Sequence, residues 1–281
     1  MPNHTLRHTK HGANPIVQLE NDYASLTISL FGGHILSFKP KHDERERLWV
    51  SESAIFDAKT PIRGGIPVCW PWFGPATSPY NKLKPAPSHG YVRNCMWLLD
   101  SCEEKEGGTQ LVLHPDITEP YSSNVHLSVK LIVLVKETLT VTLETTNTGE
   151  PVPFFAALHS YFSVSHIEAI KLGGVEGDYI DKLDNGEMKS SPTPYQISAE
   201  TDRVHLGNTM DIIKLIDNTE TEIASSGYDS IVVWNPWIDK SAGMADMSPT
   251  GFTQMVCIET ARTQPNVLDH GAVHALTQVI K

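Results

Sequence analysis

Two histidines, two arginines and a glutamate stand where their neighbours call for an explanation. His159 lies in ALHSYF, residues 157–162, at the end of an apolar run and close to Tyr161. An imidazole there is either a satisfied core residue or, given a placed partner, a proton carrier at neutral pH. Glu259 ends the run FTQMVCIE, and a carboxylate is rarely buried without a reason. It is either a strand-end carboxylate paired with the nearby Arg262 at the surface, or the partner His159 needs. Arg63 precedes two glycines in RGGIPVCWPWFGP, residues 63–75, with Trp70, Trp72 and Phe73 crowded behind it. Glycines let a backbone approach a ligand closely, and aromatic faces wall sugar pockets or simply fill cores. His89 and Arg93 share SHGYVRN, residues 88–94, a weak signal alone.

Other chemistries find no support. There is no glycine-rich nucleotide cradle, no G-x-S-x-G elbow and no H-E-x-x-H. His270 and His274 stand four apart, but Gly271 lies between them and no acidic partner accompanies them, so no metal site is expected. Cys69, Cys95, Cys102 and Cys257 fit no zinc-ribbon or redox spacing and read as reduced thiols of a cytoplasmic protein. The net charge of -11 disfavours nucleic acid and anionic membranes as partners. A small anionic substrate needs only one or two well-placed cations and stays open. No apolar run reaches 18 residues, and the polar start MPNHTLRHTKHGANP lacks the apolar core of a secretory signal.

The elements that must hold these side chains are strands. Alternation is strict in VHLSVKLIVLV, Val125–Val135, and in TLTVTLE, Thr138–Glu144, which Lys136-Glu137 joins as a hairpin. Further strands are expected at Ile16–Glu20, Ala24–Leu30, His34–Phe38, Thr109–His114, Ser230–Trp234 and Gly251–Glu259. No three-turn window carries a helical apolar period. Nineteen glycines and nineteen prolines suit many strands joined by turns. Three prolines within residues 63–75 rule out a central strand there, so that stretch is expected to be a long ordered loop, with a second irregular stretch at Ala76–His89. HDERERLW, His42–Trp49, reads as a solvated turn. The expectation is one mainly β domain over residues 1–281, a large antiparallel sandwich, with residues 1–14 as an arm that could be mobile.

Taken in order, Arg63-Gly64-Gly65 with CWPWFGP, HGYVRN, ALHSYF, VVWNP (Val232–Pro236) and CIETA (Cys257–Ala261) closely resemble the glucose-6-phosphate 1-epimerases. These are the hexose-6-phosphate mutarotases related to aldose 1-epimerases. The resemblance runs from about residue 15 to the C-terminus. It implies the galactose-mutarotase-like β-supersandwich, matching the strand-rich reading. It also implies that His159 and Glu259 are catalytic, that Arg63 and Arg93 bind the sugar phosphate, and that Asp202, in TDRVH, binds substrate. His89 would help line the site. Some relatives use a glutamine just before the His-Gly pair, where this chain has Ser88, so that contact is shortened or lost.

The reaction so implied interconverts the α and β anomers of an aldohexose 6-phosphate. Glu259 would take the proton from O1 and His159 would give one to O5, from opposite sides of the ring, with roles exchanged on closure. It calls for no metal and no cofactor. Guanidinium forks suit phosphate oxygens. The rival readings are an epimerase of unphosphorylated aldoses and a silent carbohydrate-binding sandwich, since a fold alone does not fix function. A glycoside hydrolase would use two carboxylates. A monomer is expected, since no exposed hydrophobic run marks an interface.

Overall fold

The computed structural model describes residues 4–82, 86–105, 107–117, 125–207 and 212–281. Antiparallel strands account for nearly all of its regular structure, as the alternation requires. The expected hairpin forms from Leu127–Val135 and Leu139–Asn147, paired in register from Leu127↔Asn147 to Val135↔Leu139. Its apolar residues Val129, Leu131, Val133, Val141 and Leu143 are all buried.

Two eight-stranded sheets dominate. In the first, which carries the site, the strands run in the order Glu187–Ser190, Asp178–Asp181, Thr201–Leu206, Ser230–Asn235, Met255–Arg262, Ala156–Leu158 and Val68–Cys69, and Tyr161–Ser163 also pairs with Met255–Arg262. The second runs Lys171–Gly173, Ile212–Ile216, Glu220–Ser226, Val273–Ile280, Leu139–Asn147, Leu127–Val135, Gly108–Pro115 and Trp97–Lys105. The main core lies between these sheets and unites Leu158, Ile231, Val233, Val256 and Ile258 with Leu131, Leu143 and Leu276. A four-stranded sheet completes the sandwich: His4–His11, Asn14–Asn21, Ala24–Ser29 and His34–Pro40. Residues 4–11, assigned to an N-terminal arm from sequence, thus run as an edge strand paired along its length.

Four local expectations need correction. The loop at residues 63–75 contains the short strand Val68–Cys69, which pairs with Ala157 and Leu158 through positions that proline does not occupy. The strand expected at Gly251–Glu259 begins only at Met255, because Gly251–Gln254 forms a turn of 3₁₀ helix. One short α-helix, Trp237–Ala242, appears where no helical period was legible; six residues are too few to display one. The turn His42–Trp49 is not simply solvated, for Arg47 is buried, held by Asp43 and the Arg45 carbonyl, and Leu48 and Trp49 are buried beside it. The Ala76–His89 stretch lies partly outside the described residues.

Trp70 and Trp72 belong to the core. Both are almost fully buried, and their indole N–H groups donate to Thr145 Oγ1 and to the Pro87 carbonyl. Of the three aromatics in that loop, Phe73 alone reaches the site.

Candidate active site

Alternation along Met255–Arg262 decides which side chains meet. Val256, Ile258 and Thr260 point to the second sheet, while Cys257, Glu259 and Ala261 point the other way. Direct cross-strand pairs extend that outer face. Asp202, Trp234, Cys257 and Tyr161 form one row, and Val204, Val232 and Glu259 the next. The floor of the site is therefore this second face of the sheet, with a carboxylate at its middle.

His159 stands over the floor in the turn between the short strands Ala156–Leu158 and Tyr161–Ser163. Its N–H donates to the Pro67 carbonyl, and the Tyr161 N–H to the Gly65 carbonyl, so the glycine loop cradles the histidine turn. Gly65 has φ +61, and a Cβ there would come within 2.2 Å of the Ile35 carbonyl oxygen, so no other residue fits. From behind, the buried Gln278 of the second sheet braces the same turn. It accepts from Ser160 Oγ at 2.5 Å and donates to the Ile258 carbonyl and to Thr260 Oγ1. The imidazole stacks on Tyr161, with centroids 5.0 Å apart and planes at 10°. Trp234, His89 and Phe73 meet it at 6.0, 5.8 and 6.4 Å.

His159 Nε2 lies 3.4 Å from Glu259 Oε1. Arg262, the alternative partner, instead donates to the Phe154 and Asn266 carbonyls. Glu259 Oε2 and His159 Nδ1 are buried without a hydrogen-bond partner. A buried polar atom left unpaired is costly, and such atoms persist where a ligand completes them. Burial, reinforced by the Asp202 charge and opposed by Arg93, raises the Glu259 carboxyl well above the usual glutamate range. Burial lowers the His159 imidazole well below its usual value, with His89, Arg93 and Arg63 adding to the effect. Both directions favour the neutral forms, imidazole and carboxylic acid, over a buried ion pair.

The two arginines differ. Arg63 donates through Nε to Asp246 Oδ2 at 3.2 Å, pairs its Nη2 with the same oxygen at 3.1 Å, and donates through Nη1 to Tyr161 Oη at 3.0 Å. Burial works against its charge, but Tyr161 and Asp246 outweigh burial and hold the guanidinium above its ordinary value. Arg93 sits in the 3₁₀ turn Val92–Asn94, and its buried Nε has no partner. Its charge acts on His89, His159 and Glu259 alike.

His89 adopts a left-handed backbone, φ +65, and accepts a hydrogen bond at Nδ1 from the Gly74 N–H at 3.3 Å. Its proton is therefore assigned to Nε2. Burial, then Arg93 and Arg63, lower its pKa to about 4, so it stays neutral. Asp202 is shifted upward, chiefly by burial, against the pull of Lys240 and Lys182. A hollow of about 490 Å³ opens here, lined by Phe73, Ser88, His89, Lys182, Asp202 and Gln264 among others. That volume falls within the range typical of small-molecule sites, about 300–1,000 Å³.

Of the six residues singled out from sequence, His89 and Asp202 line the hollow, while His159, Glu259, Arg63 and Arg93 cluster behind His89 through contacts and charge, with two differences in detail. His159 and Glu259 touch, where the expectation put them on opposite sides of a sugar ring. Arg63 arrives with its charge already engaged by Asp246. Sequence reading missed Asp246, Tyr161, Cys257 and Trp234. Alternation carried a signal for Cys257, two residues before Glu259, and for Tyr161, two after His159. Asp246 sits in an irregular segment 183 residues from its partner, and no local signal exists for it. His270 is exposed and His274 lies on the strand Val273–Ile280, so the two share no helical face. Among the described residues, His159, Cys257 and Glu259 are the group whose donor atoms could surround a metal ion.

Fold and site together define a mutarotase-like β-supersandwich with a buried histidine–glutamate pair. The chain belongs to the aldose 1-epimerase family, whose pattern it matches over residues 15–281. A protein of Escherichia coli named "Putative glucose-6-phosphate 1-epimerase" is 32% identical over 250 residues, covering 88% of this chain and 82% of that one. One of the same name from Cenchrus ciliaris is 32% identical over 254 residues, covering 84% and 74%. The crystal structure of a "putative mutarotase (YeaD)" from Salmonella typhimurium superposes with a TM-score of 0.88 at 29% identity, covering 98% of this chain and 92% of that one. A galactose mutarotase-like protein from Clostridium acetobutylicum, 16% identical with a TM-score of 0.78 over 99% and 98% of the two chains, shares the fold.

Proposed function

We propose that this protein interconverts the α and β anomers of D-glucose 6-phosphate and similar aldohexose 6-phosphates. The single observation that carries the reading is the buried contact between His159 and Glu259 beside a sugar-sized hollow. O1 and O5 of a pyranose share one carbon, so an acid and a base side by side can serve both from one flank of the ring. In the ring-opening direction the Glu259 carboxylate removes the O1 proton while the His159 imidazolium protonates O5, and the C1–O5 bond breaks. This leaves the aldehyde with glutamic acid and neutral imidazole, the two forms that burial favours. Rotation about C1–C2 then presents the other aldehyde face. Closure reverses both transfers, and each positioned group contributes about 10²–10⁴-fold. Asp202 and neutral His89 orient hydroxyls.

The names of the relatives and the arginines support the phosphate. Arg93, with an unpaired Nε, is the stronger candidate to receive a phosphate oxygen. The Asp246 carboxylate on Arg63 favours a second reading, an epimerase of unphosphorylated aldoses, because it neutralises one cation the dianion would use. Freshly dissolved α-glucose 6-phosphate and α-glucose, followed by polarimetry with the purified protein, separate the two. Faster equilibration of the phosphate supports the first reading, and equal or faster equilibration of glucose supports the second. The protein is expected in the cytoplasm, where its four free cysteines would stay reduced.

A further inference from the structure

Mutarotation as set out above gives Cys257 no part, yet its thiol lies in the middle of the floor. Its Sγ, a ring nitrogen of His159 and a carboxylate oxygen of Glu259 all lie within 4.8 Å of one another, and all three residues are buried. Glu259 is 1% exposed and its Oε2 has no partner. One sulfur, one imidazole nitrogen and one carboxylate oxygen is a zinc donor set, and three protein ligands leave the fourth tetrahedral position open. The thiolate sulfur selects zinc over magnesium or calcium, which prefer all-oxygen shells. Charge agrees as well. Thiolate and carboxylate together cancel a divalent ion, so the filled site adds no net charge beside Arg63 and Arg93.

We propose that His159, Cys257 and Glu259 form a zinc-binding site that, when filled, withdraws both proton-transfer groups from the sugar. Zinc binds as the divalent ion. The thiol proton, and the carboxyl proton where Glu259 holds one, leave to solvent, and no electron moves. The site stands on its own geometry; only the inhibition rests on the acid–base reading.

Cobalt(II) titrated into the full chain tests the site directly, because a thiolate bound to cobalt gives a near-ultraviolet charge-transfer band that oxygen and nitrogen ligands do not. The band is expected at one equivalent, bleached by added zinc, absent in Cys257→Ser and intact in Cys69→Ser. Cys102 is the control that matters, since its Sγ lies 3.5 Å from His4 Nε2 and could itself recruit metal. A band that survives Cys257→Ser, or vanishes in Cys102→Ser, overturns the proposal. X-ray absorption of the zinc-loaded wild type probes the same ligands without a variant: one sulfur in the shell is expected, and none overturns the proposal. In the anomer-exchange assay zinc should stop wild-type turnover. Cys257→Ser should need more zinc by a factor exceeding the roughly 10–100-fold that losing an outer-shell partner costs. If the protein proves inactive on every sugar, the cobalt band still decides the metal site, so the two readings fail separately.

Discussion

Cys257, Glu259 and Ala261 face away from the second sheet, while Val256, Ile258 and Thr260 of the same strand face toward it. On the inner face every side chain finds what it needs within the protein: Val256 and Ile258 join the main core, and Thr260 Oγ1 is bonded by Gln278. On the outer face Glu259 keeps an oxygen unpaired and its neighbour His159 a nitrogen. One face is satisfied by the fold, and the other presents polar atoms that the protein itself does not pair. On the proposed reading, stability and chemistry are divided between alternate residues of a single strand, which makes the division testable.

The largest expected effect is on the outer face. Glu259→Gln and His159→Asn should each slow anomer exchange by about 10²–10⁴-fold, some 3–5 kcal/mol of barrier, with the thermal unfolding midpoint kept or raised. Magnetisation-transfer NMR reads the exchange, and wild-type rates in either variant would remove that residue from the mechanism. Ile258→Ala is the mirror experiment. It should cost about 2–5 kcal/mol in denaturant unfolding while the folded fraction turns over normally. If it lost turnover per folded molecule, the two faces would not be separable.

A smaller effect is expected from Asp246→Asn, which leaves the floor intact but releases Arg63. Loss of orientation should raise KM about tenfold with kcat changed less, in keeping with about 1.5–3 kcal/mol for a hydrogen bond to a charged group. A fall in KM for the sugar phosphate would mean that Asp246 restrains the charge rather than aims it.

The smallest effect is on pH-dependent stability. The Glu259 pKa is raised on folding, so above the ordinary glutamate value the native state holds more proton than the unfolded chain. Stability therefore declines as pH rises from that value toward the folded-state pKa. Glu259→Gln should gain on the wild type across that window, and more at pH 8 than at pH 5, in denaturant titrations. An equal gain at both would show that folding does not raise the carboxyl's pKa.

Much of this was legible in sequence wherever period two ran unbroken. Val125–Val135 and Thr138–Glu144 announced their hairpin because each alternate residue enters the core. Glu259 and His159 were legible as unusual residues at apolar strand ends, and the shared motifs supplied their pairing. What stayed hidden depends on long-range contact. The Gly251–Gln254 turn has no pattern of its own, Arg47 is buried only because Asp43 closes on it, and Asp246 meets Arg63 through chain geometry alone. The tryptophans of the proline-rich loop were undecided in sequence, because an indole suits a core and a pocket equally, and burial settles that for Trp70 and Trp72.

Ile258 and Glu259 are successive residues with opposite destinations. One amino acid inserted upstream within that strand would turn isoleucine toward His159 and drive a carboxylate into hydrocarbon. Evolution can therefore retune this enzyme by exchanging odd-numbered side chains there, or by lengthening its loops, but a frame shift of a single position inside the strand would abolish catalysis and folding in one step.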